Sequence, residues 1–345
     1  MSMLWQGGED ISFLNGSPNP ASVVTSGGFR SGWARCALAP QPWSVGTTPC
    51  KGNRFGGGAI TSGWASWLAN VPGQNTFQGT QPPSLGGFGV FSGAGQIFLG
   101  SAANTELGLQ KAALYKYDGT TFTQLATESA ASLSLASLQR FDLQLINFGS
   151  SGTLNLYLNK VLIISFTGDL TLSGVTGFDC FVIGPWASLM VYGQCFSEVM
   201  VASDDTRTRL GLATLAPAGQ GTTNAWTNDA YGNIDGVSYS DANPTYDNNN
   251  GDDQQYALNS LPSGTWNPDT VTIAARAAVG SGSSVAHLEL GYNVAGTVGF
   301  GSGATKAPGG SYATWEQLDL QNPVTVAAWT QAQINALQLD MRALT

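Results

Sequence analysis

Positive charge is scarce in this sequence, and what there is stands alone. Only 13 of the 345 residues are Lys or Arg, scattered singly against 22 Asp or Glu, for a formal charge of -9. A phosphate backbone is held by clustered Lys and Arg, so a nucleic-acid partner is excluded. Histidine occurs once, at His287, and no GxSxG elbow stands anywhere for it to serve, so a Ser/His/Asp triad is not indicated. No apolar run reaches the roughly 18 residues of a membrane-spanning helix, and no membrane insertion is expected. The opening MSMLWQGGED has neither the basic region nor the apolar run of a signal peptide, so the sequence predicts a chain made and kept in a cytoplasm until assembly or lysis. Four cysteines, Cys36, Cys50, Cys180 and Cys195, are too few and too widely spaced for a disulfide scaffold. They are expected reduced and buried as small hydrophobes, with a Cys36 to Cys50 or a Cys180 to Cys195 bridge as the alternative. No CxxC pair or His/Cys cluster offers a zinc site.

What is abundant is glycine, at 45 residues, while only 10% of the chain is charged against roughly a quarter in ordinary globular proteins. Low charge with Gly, Ser, Thr, Asn and aromatics suits many short strands joined by tight turns, so the fold class is all-β. The clearest stretch is Arg140 to Asp169. Phe141, Leu143 and Leu145 alternate with Asp142 and Gln144; Leu154, Leu156 and Leu158 alternate with Asn155 and Tyr157; Val161 to Phe166 is a β-branched, apolar run. A Gly/Ser turn at Gly149 to Gly152 and a two-residue turn at Asn159-Lys160 join them into an antiparallel meander, whose apolar face requires a second sheet. Asp118-Gly119 marks another hairpin, and strands are expected at Phe178 to Ile183 and Gln194 to Val201. Ala59 to Leu68 reads as a strand or as a short helix weakened by Gly63.

Asp204-Asp205-Thr206-Arg207 breaks the apolar pattern, which places a boundary between a first domain, residues 1–203, and a second, residues 204–345. The tract Pro217 to Asp253 reads as long ordered loops, because Trp226, Tyr231, Ile234 and Tyr246 are anchors that a linker lacks. Strands follow at Gln255 to Leu258, Thr270 to Val279, Val285 to Asn293, Gly296 to Gly299 and Tyr312 to Leu318, a second and smaller β-sandwich. At the end, Thr330-Gln331-Ala332-Gln333 fits a capping box, and Ile334, Leu337, Met341 and Leu344 form one helical stripe.

Chemistry-bearing groups are few. A glycoside hydrolase on a sandwich requires two carboxylates about 5 to 10 Å apart, which one strand face supplies as an E-x-D pattern. None occurs, so no catalytic residue is assigned and the chain is expected to be non-enzymatic. Asp247, Asn249 and Asp252, in the acidic and amide-rich loop Asp241 to Asp253, are candidate oxygen ligands for Ca2+; the ligand spacing and closing Glu of an EF-hand are missing, and a solvated turn is the alternative. No other cofactor is indicated. Trp33, Trp43, Trp64 and Trp67 cluster in the glycine-rich first third as candidates for core or interface packing or for a sugar-stacking platform.

On the motifs Arg140-Phe141-Asp142, Gly152 to Lys160, Phe166-Thr167-Gly168-Asp169 and Phe196-Ser197-Glu198-Val199-Met200-Val201-Ala202, the first domain resembles the concanavalin A-like (laminin-G-like) jelly roll. Asp205-Thr206-Arg207, Ala213 to Pro217, Asn224 to Thr227, Asn322-Pro323 and Ala328-Trp329-Thr330 resemble the region after the jelly roll in structural proteins of tailed bacteriophages. The resemblance implies a virion structural protein, a capsid decoration, head fibre or tail component. It would be a homo-oligomer such as a trimer, assembled in the host cytoplasm with other capsid or tail proteins and presented to a host-surface glycan. The alternative is a carbohydrate-binding, lectin-like module or a glycoside hydrolase on the same fold, because function sits in the site rather than in the sandwich.

Overall fold

The computed structural model describes residues 3–7, 21–24, 35–38, 50–52, 54–70, 84–102, 109–134, 138–184, 194–208, 213, 215–227 and 244–345. The chain is all-β, and among the described residues one five-residue helix interrupts the strands. It forms two compact units, Met1–Leu212 and Ala213–Thr345.

The first unit begins with β1 (Met3–Gly7), β2 (Ala21–Val24), β3 (Arg35–Leu38), β4 (Cys50–Lys51), β5 (Gly63–Asn70), β6 (Ser84–Gly89), β7 (Gln96–Ser101) and β8 (Leu109–Gln110). It continues through β9 (Ala112–Tyr117), β10 (Phe122–Thr127), β11 (Leu133–Ser134), β12 (Leu138–Ile146), β13 (Gly152–Leu158), β14 (Val161–Gly168), β15 (Cys180–Gly184) and β16 (Gln194–Ala202). An eight-stranded sheet runs β14-β13-β12-β5-β16-β3-β2 with β1 on β16, and a six-stranded sheet runs β10-β9-β7-β6-β15-β4. The two sheets form a jelly-roll β-sandwich. Their inner faces meet through aromatics: the Trp67 ring lies 5.7 Å from Phe141 on its own sheet and 5.4 Å from Phe181 on the other. Trp67 needs Gly86 opposite, since a Cβ there would fall 2.6 Å from the indole, and Gly86 also holds a left-handed φ of 137°.

Period-two alternation fixes which side of the meander is core. Leu154, Leu156 and Leu158 are buried while Thr153, Asn155 and Tyr157 are partly exposed. The Asn159-Lys160 turn closes without glycine because both residues accept left-handed φ, 48° and 72°. Of the stretch Ala59 to Leu68, Gly63 to Leu68 resolves as strand, paired on both sides by β12 and β16, and Ile60 makes an isolated bridge to Phe178. Cys180 is buried and free, which removes a Cys180 to Cys195 bridge, and burial pushes its thiol up to about 12, leaving it inert. The side chains of Cys36, Cys50 and Cys195 lie outside the described residues.

In the second unit β17 (Pro217–Asn224), β18 (Asp253–Leu258), β19 (Val271–Ala277), β20 (His287–Val294), β21 (Thr297–Lys306) and β22 (Ala313–Asp319) precede α1 (Gln331–Asn335) and β23 (Leu337–Leu344). A five-stranded sheet, β17-β18-β23-β20-β21, is accompanied by the pair β19-β22. Tyr256, Ile273, Leu290, Tyr292, Trp329 and Ile334 are among the core residues. Two expectations are corrected here. Pro217 to Asn224, expected to be loop, is a strand whose exposure alternates although it carries no large apolar side chain. The closing helix stops at Asn335: the capping box of Thr330 and Gln333 is present, but Leu337 onward is β23, held between β18 and β20. Pairing on both edges outweighs a helical stripe that the same Leu337 and Met341 also satisfy at period two. No helix among the described residues is long and apolar enough to cross a membrane.

Candidate functional site

The inner face of the eight-stranded sheet is hydrocarbon; its outer face carries the chemistry. The alternation that buries Phe141, Leu143 and Leu145 turns Arg140, Asp142 and Gln144 outward from β12, beside Trp64 and Ser66 of β5 and Asn155 and Tyr157 of β13. Asp142 is fully buried on this outer face, because the segment that follows β16 folds over it. Its Oδ1 accepts hydrogen bonds from Arg140 Nε at 3.1 Å, from Arg140 Nη2 at 3.0 Å and from Ser66 Oγ. The Ser66 hydroxyl also bonds the Thr206 hydroxyl, and Arg140 Nη2 donates to the Thr206 carbonyl at 2.8 Å. A buried carboxylate is tolerable when a guanidinium and a hydroxyl donor replace its water, and here Arg140 and Ser66 do.

The same segment brings Arg207 onto the aromatics. Arg207 binds Asp205 with both ends of its guanidinium, at 2.9 Å to Oδ1 and 2.6 Å to Oδ2. Its central carbon sits 4.2 Å from the Tyr157 ring and 4.9 Å from the Trp64 ring, and these rings lie 5.6 Å apart and stacked. The hydrogen bonds from Arg207 hold the Asp205 carboxyl below its ordinary range, and the same bonds raise Arg207. Next to this stack a row of neutral groups crosses three strands. Asn155 Nδ2 donates to Gln144 Oε1 at 2.9 Å, and Ser165 Oγ donates to Asn155 Oδ1 at 2.8 Å. One step along, the Thr153 and Thr167 hydroxyls bond at 2.9 Å. Two strand spacings, about 10 Å, is the reach of one or two sugar rings.

Of the aromatics marked from sequence, Trp64 lies on this outer face beneath Arg207, and Trp67 lies in the core, 1% exposed and closed to any ligand. An odd spacing along one strand sends the two indoles to opposite faces. Trp33 and Trp43 lie outside the described residues. Asp247, Asn249 and Asp252 come together, joined by their own hydrogen bonds. Asn249 Nδ2 donates to Asp252 Oδ2 at 3.1 Å, and Asp247 accepts from the Asn249 amide at 2.9 Å and from Thr227 Oγ1 at 2.9 Å. Among the described residues no three His, Cys, Asp or Glu side chains group as metal ligands. Arg207, Asp205, Gln144 and Ser165 were not marked from sequence. Alternation within the meander could have placed Gln144, Asn155 and Tyr157 on one face; Arg207 arrives by a long-range contact that no local pattern announces.

No family model matches the chain, and no curated protein matches it. Solved structures do. Domain 4 of AbnA, a GH43 extracellular arabinanase from Geobacillus stearothermophilus, solved with arabinotriose, is 12% identical over 57% of this chain and 81% of its own, with a TM-score of 0.35. The endo-β-1,4-glucuronan lyase of Trichoderma reesei is 12% identical over 59% of this chain and 96% of its own, with a TM-score of 0.40. Alginate lyase Aly36B is 11% identical over 62% of this chain and all 100% of its own, with a TM-score of 0.39. At such identities a likeness concerns the fold alone, and it brings no substrate to this chain. It does correct one expectation. Proteins named as enzymes stand among the matches, so the assignment of this chain as non-enzymatic is withdrawn.

Proposed function

We propose that the chain is a carbohydrate-binding β-sandwich protein that takes a glycan across the outer face of its eight-stranded sheet. The observation that carries this reading is the row Gln144, Asn155 and Ser165, neutral amide and hydroxyl groups already aligned by mutual hydrogen bonds, beside the stack of Arg207, Tyr157 and Trp64. Sugars are recognised by such pairings: hydroxyls exchange hydrogen bonds with amides while the ring lies against a flat, weakly hydrated group. Mutual bonding keeps the amides in one orientation before a ligand arrives, so less freedom is lost on binding. The virion structural role rests on the sequence resemblance alone, and none of the three structures named above is a virion protein.

The test is a glycan array followed by calorimetry on the best ligand, with reducing-end release monitored in the same samples. Binding weakened at least tenfold by Asn155→Ala and by Arg207→Ala, in variants that melt cooperatively, is the expected result. Absence of binding to every glycan, or binding indifferent to both substitutions, would overturn the proposal. Release of reducing ends would add hydrolysis to binding at this face.

A further inference from the structure

Sheet edges expose unpaired backbone N–H and C=O groups, and soluble proteins guard them with charge, proline or cover. Among the described residues, strand β14 is the outermost strand of the eight-stranded sheet, paired on one side by β13. Its sequence, VLIISFTG, contains no Asp, Glu, Lys, Arg or Pro. Val161 is 65% exposed and Leu162 49%, two of the large exposed hydrophobics of the molecule. One bulge bends the strand at Ile163, and Ile164 to Gly168 pairs regularly with β13 beyond it. Charge stands only at the two ends: Lys160 before the strand and Asp169 after it, both exposed, the latter also touched by Lys116 at 3.2 Å.

We propose that β14 is an interaction edge whose occupant is β14 of a second copy of this chain, paired antiparallel about a two-fold axis. Antiparallel self-pairing brings the lysine end of one strand to the aspartate end of the other, and the symmetry repeats that meeting. Parallel pairing would set like charges side by side. The Val161 and Leu162 side chains leave water in the same step, and the open backbone groups gain partners.

Sedimentation velocity across a micromolar concentration series tests this. The wild-type chain is expected to sediment as a dimer, and the double variant Leu162→Lys/Thr167→Lys as a monomer that still melts cooperatively. Lys160→Glu, in the exposed turn, keeps the test sound should the double variant fail to fold. It is expected to weaken the dimer about tenfold, and mixing it with Asp169→Lys is expected to restore association as a heterodimer. A monomeric wild type, a trimer, or a dimer indifferent to these substitutions would overturn the proposal.

Discussion

Two buried aspartates, one in each unit, show what a carboxylate requires when a sheet face closes over it. Asp142 and Asp340 are both 0% exposed, and both point to the outer side of a central strand. Asp142 has a guanidinium beside it and the Ser66 hydroxyl donating to it. Asp340 accepts one bond, from Gln255 Nε2 at 2.6 Å, and its Oδ2 has no partner. Arg342, the cation on the same strand, is spent on Asp253 at 2.6 Å and Glu289 at 3.3 Å, with Phe300 against its guanidinium. Burial therefore pushes the Asp340 carboxyl up to about 6, with Gln255 opposing the rise. Depth is the same in the two places, and the difference lies in whether donors were built in.

The largest effect expected from this contrast is at the matched acid. Arg140→Ala leaves Asp142 buried without its cation and should cost about 3–5 kcal/mol, read from the urea midpoint of the first unit. At the unmatched acid the sign reverses. A carboxyl whose folded pKa lies above its unfolded value binds more protons folded than unfolded, so stability falls as pH rises between about 4 and 6 and stays lower above. Asp340→Asn is then expected to stabilise the second unit at pH 7 by roughly 2 kcal/mol, the gain vanishing near pH 4. Melting curves of both proteins at the two pH values check it; equal differences at both would remove the pH argument. Smaller still is the effect at the half-buried stack: Arg207→Ala should cost about 1 kcal/mol, since a partly hydrated guanidinium over rings contributes little. The weakest expectation concerns half-buried carboxylates held by loop bonds. Asn249→Ala, which frees Asp247 from Asp252, should move the melting temperature by no more than a degree or two, about 0.5 kcal/mol.

Much of the first unit was legible because the first two strands of its meander obey a single rule, period-two alternation between Phe141 and Leu158. That rule also separates the faces, so Asp142 and Tyr157 could be set outward from sequence. Elsewhere two rules fitted the same letters. Ile334, Leu337 and Met341 satisfy a helix, while Leu337, Leu339, Met341 and Ala343 satisfy a strand, and only partners distant in sequence decide. Pro217 to Asn224 carried no pattern of apolar residues, because its strand borrows order from β18. The site was harder than the fold for the same reason. Asn155 and Gln144 read as solvated surface until Arg207 is brought over Tyr157 from fifty residues downstream.

The clasp of Arg140 on the Thr206 carbonyl spans 66 residues of chain. On a ribosome moving at about 5–20 residues per second, Thr206 follows Arg140 by roughly 3–13 s. During that interval the meander can close its hairpins, but Asp142 and Trp64 face water without their cover. Among the described residues, the outer face is therefore the last surface of the first unit to be finished as the chain is made. A nascent chain halted before Thr206 would display this face open, with its acid still hydrated.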